Sequence, residues 1–166
     1  MSNVRRILRM VTLRPRNRGP DPMAALPRPW AEAGDGPRVV VENEDATWQW
    51  AATEILEAAG YEVACCGGPY HLPHQLCPLV TDDRCPLIDG ADLVINGLGI
   101  GDPTNRAVLT ALRTQREQTP VLVEIGTTQL AELHTEIPGC RTVPFPVRPK
   151  DLIAGVSDVI RGNREC

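Results

Sequence analysis

Aromatic side chains, lysine and long apolar runs are all scarce in this 166-residue chain. Aromatic residues make up 4% of the sequence, so aliphatic side chains must fill any core. No apolar run approaches the roughly 18 residues of a membrane span. Arginines interrupt the one apolar stretch near the start, which a secretory signal would need unbroken. We therefore expect no membrane segment and, by default, a cytoplasmic location.

Charge is distributed unevenly along the chain. Residues 1–37 contain seven Arg, three acidic residues and six Pro, whereas residues 38–166 carry a net charge of −8. A segment so rich in Arg and Pro buries too little apolar surface to repay ordering. We expect residues 1–37 to be a disordered tail and residues 38–163 to form one domain. The overall charge of −4 gives no indication of nucleic-acid binding.

From residue 38 onward, short apolar runs alternate with amphipathic stretches. A continuous run of valines at 39–41 is typical of a strand buried on both faces. Apolar residues then recur at helical spacing over 48–59, where Trp48 and Trp50 must point in different directions, one inward and one outward. Strand–helix alternation predicts an α/β fold with a doubly wound parallel sheet. The predicted strands are 38–41, 61–65, 92–96, 120–125 and 141–145, and the later helices are 105–117, 128–135 and 149–161.

Residues 66–90 break this alternation. They are rich in Gly, Pro, Cys and His, show no helical period, and predict a long loop where a helix would be expected. Thiolate and imidazole are ligands that Zn²⁺ prefers, and a metal or a disulfide between Cys77 and Cys85 could order such a loop. Packing of the cysteines as small apolar residues is the competing interpretation. The candidate metal or redox residues are Cys66, His71, His74, Cys77 and Cys85.

Five segments resemble the receiver domain of bacterial two-component response regulators: "RVVVENED", "EILEAAGYEV", "ADLVINGLG", "TPVLVEIG" and "VPFPVRPKDLIAGV". The resemblance spans about residues 38–161 and implies a flavodoxin-like sheet with strand order 2-1-3-4-5. In that family an acidic pair after strand one binds Mg²⁺ and an aspartate ending strand three accepts the phosphoryl group. A Thr or Ser ending strand four and a Lys ending strand five contact the phosphoryl oxygens.

This chain departs from the family pattern where phosphorylation needs it most. The acceptor position falls on Gly97 and the lysine position on Phe145, while the chain's only lysine is Lys150. The Thr or Ser position falls on Ile125. The acidic pair falls on Glu42 and Asn43, or on Asn43 and Glu44, because the loop is one residue longer than usual.

The resemblance therefore implies a phosphorylation-incompetent, receiver-like signalling module and not an enzyme. In the family the signalling face corresponds here to about residues 128–161, so we expect the partner to be another signalling protein or a second copy of the chain. The alternative is a redox or metal sensor built on the 66–85 loop, and no cofactor is firmly implied apart from a possible Zn²⁺. A further interpretation is a small enzyme or nucleotide binder that uses Gly97-x-Gly99-x-Gly101, a glycine loop between a strand and a helix.

Overall fold

The computed structural model describes residues 30, 35–70, 77–115, 119–126 and 140–162. Five strands form one sheet in the order β2-β1-β3-β4-β5, and every pair of neighbours is parallel. This confirms the predicted flavodoxin-like α/β fold and its strand order. The strands are β1 Arg38–Glu42, β2 Glu62–Cys66, β3 Leu93–Asn96, β4 Val121–Gly126 and β5 Arg141–Phe145.

Helices cover both faces of the sheet. In the described part of the chain they are α1 Ala46–Ala58, α2 Pro78–Thr81, α3 Pro86–Asp89, α4 Pro103–Gln115 and α5 Pro149–Ile160. None of them is long and apolar enough to cross a membrane. The predicted helix 128–135 lies outside the described residues, so only the end of the expected signalling face, residues 140–161, is seen.

Strand alternation divides the core into two clusters. Successive side chains of a strand point to opposite faces of a sheet, so Val40 faces one layer while Val39 and Val41 face the other. One cluster packs α2, α3 and α4 against the sheet, and the other packs α1 and α5. Both are built from Val, Leu and Ile, as the scarcity of aromatic residues requires.

The segment predicted as a long loop contains two single-turn helices. Each begins at the proline that follows a cysteine, Cys77 before α2 and Cys85 before α3. Proline suits the first helical position because the backbone N–H it lacks would have no partner there. The turns bury Leu79, Leu87 and Ile88, and these side chains replace the apolar stripe of the missing long helix. The repeated "CPL" sequence therefore has a structural reason.

Trp30 lies within the predicted tail, residues 1–37, and has contacts with the folded domain. This side chain packs against the core cluster beneath α3, and its indole Nε1 donates a hydrogen bond to the Leu87 carbonyl at 2.8 Å. The Arg38 guanidinium lies over its ring, 5.7 Å from the centroid. The chain before β1 therefore contributes to the folded domain at Trp30, whereas residues 1–29 and 31–34 lie outside the described part.

Candidate functional site

Polar side chains converge at the carboxyl ends of β1, β3 and β4. Alternation along each strand sorts them, because Glu42 and Asn96 point toward the α2–α4 layer, whereas Asn43 and Glu124 lie on the side of α1. All four are at least nine-tenths buried. Buried polar groups are costly unless they are hydrogen-bonded, so each pair is held together by its own bonds.

The space beside Gly97, the residue predicted at the family's phosphoacceptor position, is already occupied. A Cβ atom added to Gly97 would overlap Glu124 Oε2 and Asn43 Nδ2. These two atoms are themselves hydrogen-bonded, with Asn43 donating to Glu124 at 3.2 Å. The carboxylate that occupies this site therefore comes from β4, and Gly97 supplies the room for it.

Trp48 fixes Glu124 from the other side. Asp45 caps α1 by accepting hydrogen bonds from the backbone N–H groups of Thr47 and Trp48. This cap places Trp48 in the first turn, from which its indole Nε1 donates to Glu124 Oε2 at 2.8 Å. The two-residue spacing was correctly read, because Trp50 is 67% exposed while Trp48 is half-buried.

Sequence reasoning missed Glu124. The residue interrupts an otherwise apolar strand, "VLVEIG", and an acidic residue inside a strand buried on both faces was the available signal. Burial raises the pKa of the Glu124 carboxyl above its ordinary value, against the lowering effect of its hydrogen bonds to Trp48 and Asn43. Its other oxygen, Oε1, is buried and receives no hydrogen bond from the described residues.

Phe145 and Ile125 are the residues predicted at the family's lysine and hydroxyl positions. Ile125 is buried in the cluster beneath α4. Phe145 is 39% exposed, and its ring meets Trp48 edge to face with centroids 5.7 Å apart. An exposed aromatic ring braced by a second ring presents apolar surface at the end of β5.

The acidic-pair positions do three different things. Glu42 is buried and accepts a hydrogen bond from Asn96 Nδ2 at 2.9 Å, while Asn43 turns to Glu124. Glu44 is exposed and accepts from Asn105 Nδ2 at 2.8 Å. Glu42 and Glu44 therefore differ in burial and in hydrogen-bond partner, since Glu42 is buried beside Asn96 and Glu44 is exposed beside Asn105.

Burial raises the pKa of Glu42 from 4.5 to about 7, although the hydrogen bond from Asn96 works in the opposite direction. Asn96 Oδ1 is buried and has no hydrogen-bond donor among the described residues. A protonated Glu42 carries an O–H donor that such an acceptor requires. The pair is thus chemically suited to the neutral form of Glu42.

An open pocket of about 340 Å³ lies above these strand ends. Its walls combine the acidic residues Glu44, Asp45 and Glu124 with apolar surface that includes Phe145. The loop that contains Gly97 and Gly99 forms another wall of the pocket. The backbone N–H groups at the start of α4, which follows this loop, are not free to bind a ligand. Asp102 Oδ1 already accepts hydrogen bonds from the backbone N–H groups at the start of α4.

Three of the candidate cysteines come together beside α2 and α3. Cys66, Cys77 and Cys85 pack against the same core cluster and interact electrostatically with one another and with Glu42. Burial raises all three thiol pKa values, that of Cys66 to about 12. A reactive cysteine normally needs a lowered pKa, so this environment does not favour thiol chemistry.

The described part of the chain contains no group of three or more His, Cys, Asp or Glu residues arranged to hold a metal ion. His71 and His74 lie outside the described residues, so the five-residue set is seen only through its cysteines. All three are free thiols, as is Cys65, whereas Cys140 is disulfide-bonded. The role that the structure shows for Cys66, Cys77 and Cys85 is packing beside α2 and α3.

No protein-family model and no curated protein matches the sequence. Several solved structures, by contrast, are similar to this chain. A receiver protein from Sinorhizobium medicae is similar with a TM-score of 0.59 and 16% identity, covering 80% of this chain and 100% of that one. The chemotaxis response regulator CheY4 of Vibrio cholerae is similar with a TM-score of 0.56 and 18% identity, covering 75% of this chain and 98% of that one. A response regulator from Thermotoga maritima is similar with a TM-score of 0.57 and 18% identity, covering 76% of this chain and 99% of that one. At such identities the likeness establishes the fold: this chain has the flavodoxin-like fold of response-regulator receivers.

Proposed function

We propose that the chain is a receiver-like signalling module that is not phosphorylated and acts through protein–protein interaction. The observation that carries the proposal is the packing around Gly97. The position has no acceptor side chain, and the hydrogen-bonded groups of Glu124 and Asn43 occupy the space that one would need. Phosphoryl transfer would bring more negative charge to a site that already holds a buried carboxylate.

The replacement of the family's lysine supports the same proposal. Phe145 has no charge with which to neutralise a phosphoryl group, and the only lysine of the chain, Lys150, lies at the start of α5. The proposal includes no enzymatic reaction and no bound cofactor. A cytoplasmic location also belongs to it as an expectation.

The face available for interaction includes β5 and α5. Phe145 supplies exposed aromatic surface there, and aromatic residues are enriched at the energetic centres of protein interfaces. We propose that a signalling protein, or a second copy of the chain, binds over Phe145 and the adjoining face of residues 140–161.

Incubation with acetyl phosphate and Mg²⁺ tests the first half of the proposal. The intact mass of the protein should stay unchanged, with a phosphorylatable receiver as the positive control. A gain of one phosphoryl group that disappears on mild base treatment would refute the proposal.

Capture from the native host tests the second half. The wild-type protein should retain a partner that Phe145→Glu loses and Trp50→Glu keeps. Trp50 is the matched control because it is an exposed aromatic residue on α1. If the wild type and both variants retain the partner, and none of them self-associates in sedimentation, the interaction face does not include Phe145.

A further inference from the structure

The pocket at the strand ends carries negative charge without a positive partner in its walls. Its lining residues include Glu44, Asp45 and Glu124 and no Lys, Arg or His among the residues that the structure describes. Glu44 and Asp45 are exposed at its mouth. With three acidic residues in its walls and Phe145 at the predicted lysine position, the pocket attracts cations.

Glu124 adds an observation independent of the acidic rim. Its carboxylate is 7% exposed, and Oε1 accepts no hydrogen bond from the described residues. A buried acceptor without a donor destabilises the folded protein, because the water it has lost is not replaced. A ligand with N–H donors and a positive charge would satisfy this oxygen, and an aliphatic stem beside those donors would suit Phe145 and Ile100.

An arginine side chain has this combination of groups, and the chain itself supplies it. Residues 1–20 contain six Arg and no acidic residue. Guanidinium groups offer five N–H donors and bind carboxylates in a fork geometry. Charge complementarity with a domain of net charge −8 thus points to the chain's own amino-terminal segment.

The anchor at Trp30 makes the contact geometrically feasible. Trp30 packs near the start of β1, where Arg38 lies over its ring, whereas the pocket lies at the other end of that strand. A strand of this length rises about 13 Å. Arg18 is twelve residues before Trp30 and can reach up to about 40 Å, while Arg28, two residues away, reaches only about 7 Å. Tethering also raises the local concentration of the segment.

We propose that the arginines between residues 5 and 18 dock in the acidic pocket formed by Glu44, Asp45 and Glu124. The segment then covers the exposed ring of Phe145, which lines the same pocket. The contact would regulate the interaction face by competing with a partner for it, and this regulatory role rests on the proposed function. The docking itself does not.

The indole N–H of Trp48 reports on the pocket, because it donates to Glu124 Oε2. Its NMR resonance is followed in the full chain between ionic strengths of about 0.01 M and about 1 M, over which the Debye length falls from about 30 Å to about 3 Å. Salt should release the segment and shift the resonance. The signal is assigned with Trp48→Phe.

Three variants make the measurement specific. Replacing the six arginines at 5, 6, 9, 14, 16 and 18 by Gln should abolish the salt-dependent shift, whereas Arg28→Gln should leave it intact. The double variant Glu44→Gln with Asp45→Asn should also abolish the shift, because it removes two carboxylates from the pocket. It should keep the local structure, since Asn caps a helix as well as Asp does and Gln keeps an oxygen that accepts from Asn105.

Equal shifts in the wild type and the six-arginine variant would overturn the proposal, and so would no shift in either. A shift that grows with protein concentration would also overturn it, because a second copy and not the tethered segment would then occupy the pocket. The mass measurement with acetyl phosphate is unaffected by any of these results, so failure of docking and failure of the proposed function are distinguishable.

Discussion

Replacing Glu42 by Gln should stabilise the protein at neutral pH. Glu42 is buried at the end of β1, and its hydrogen-bonding partner Asn96 has an oxygen without a donor. Glutamine keeps an oxygen that can accept the hydrogen bond from Asn96 Nδ2, and it adds an N–H group that can donate a hydrogen bond to Asn96 Oδ1. The substitution therefore retains the shape of the site while it removes the ionisation.

The magnitude follows from the pKa of Glu42, which burial raises from 4.5 to about 7. The folded protein holds this proton in a pH range where the unfolded chain has released it. Stability is therefore unaffected by Glu42 below about pH 4.5, falls as pH rises, and carries the full penalty above about pH 7. At about 1.4 kcal/mol per pKa unit, the penalty reaches about 3 kcal/mol.

Urea unfolding at about pH 5 and about pH 8 measures this difference. Glu42→Gln should exceed the wild type in free energy of unfolding by about 3 kcal/mol at the higher pH and by less than about 1 kcal/mol at the lower. Glu54→Gln, on the exposed side of α1, is the matched control and should change neither value. Glu124 is present in all three proteins and cancels. A Glu42→Gln protein that differs from the wild type equally at both pH values would refute the reasoning.

Three further predictions concern the anchor, the acceptor position and the thiols. Trp30→Ala should lower the free energy of unfolding by about 2 kcal/mol, because a packed ring and a hydrogen bond are lost, while the exposed Trp50→Ala changes it by less than about 0.5 kcal/mol; equal effects would contradict the packing of Trp30. Gly97→Asp should destabilise the protein by about 1–3 kcal/mol, since Cβ displaces Glu124 and Asn43, and should leave the mass unchanged after acetyl phosphate treatment; a stable, phosphorylated variant would show that the site is open. Cys66 should resist iodoacetamide at about pH 8 in the folded protein and react after denaturation, as peptide mass spectrometry would show, because burial raises its pKa to about 12 and keeps the thiol protonated; rapid labelling of the folded protein would count against this.

The resemblance to receiver domains implied the strand order, and the sequence pattern predicted the strands themselves. Buried parallel strands appear as continuous runs such as the valines at 39–41, and helical spacing marks α1, because these patterns arise from the local periodicity of the backbone. The prediction that Gly97 and Phe145 stand at the family's acceptor and lysine positions came from counting along the chain, which requires no knowledge of packing. The single-turn helices α2 and α3 were missed because four residues are too few to establish a period.

Only the tertiary structure decided which side chains meet around Gly97. Glu124, Trp48 and Asn43 come from different elements, and their side chains meet because the sheet brings the ends of β1 and β4 to one edge and the Asp45 cap aims Trp48 at them. The same holds for Trp30, whose contact with Leu87 joins residues 57 positions apart. Sequence periodicity determines which face a residue occupies. Which partner fills the space on that face depends on non-local packing, and here that packing put a carboxylate from β4 beside Gly97.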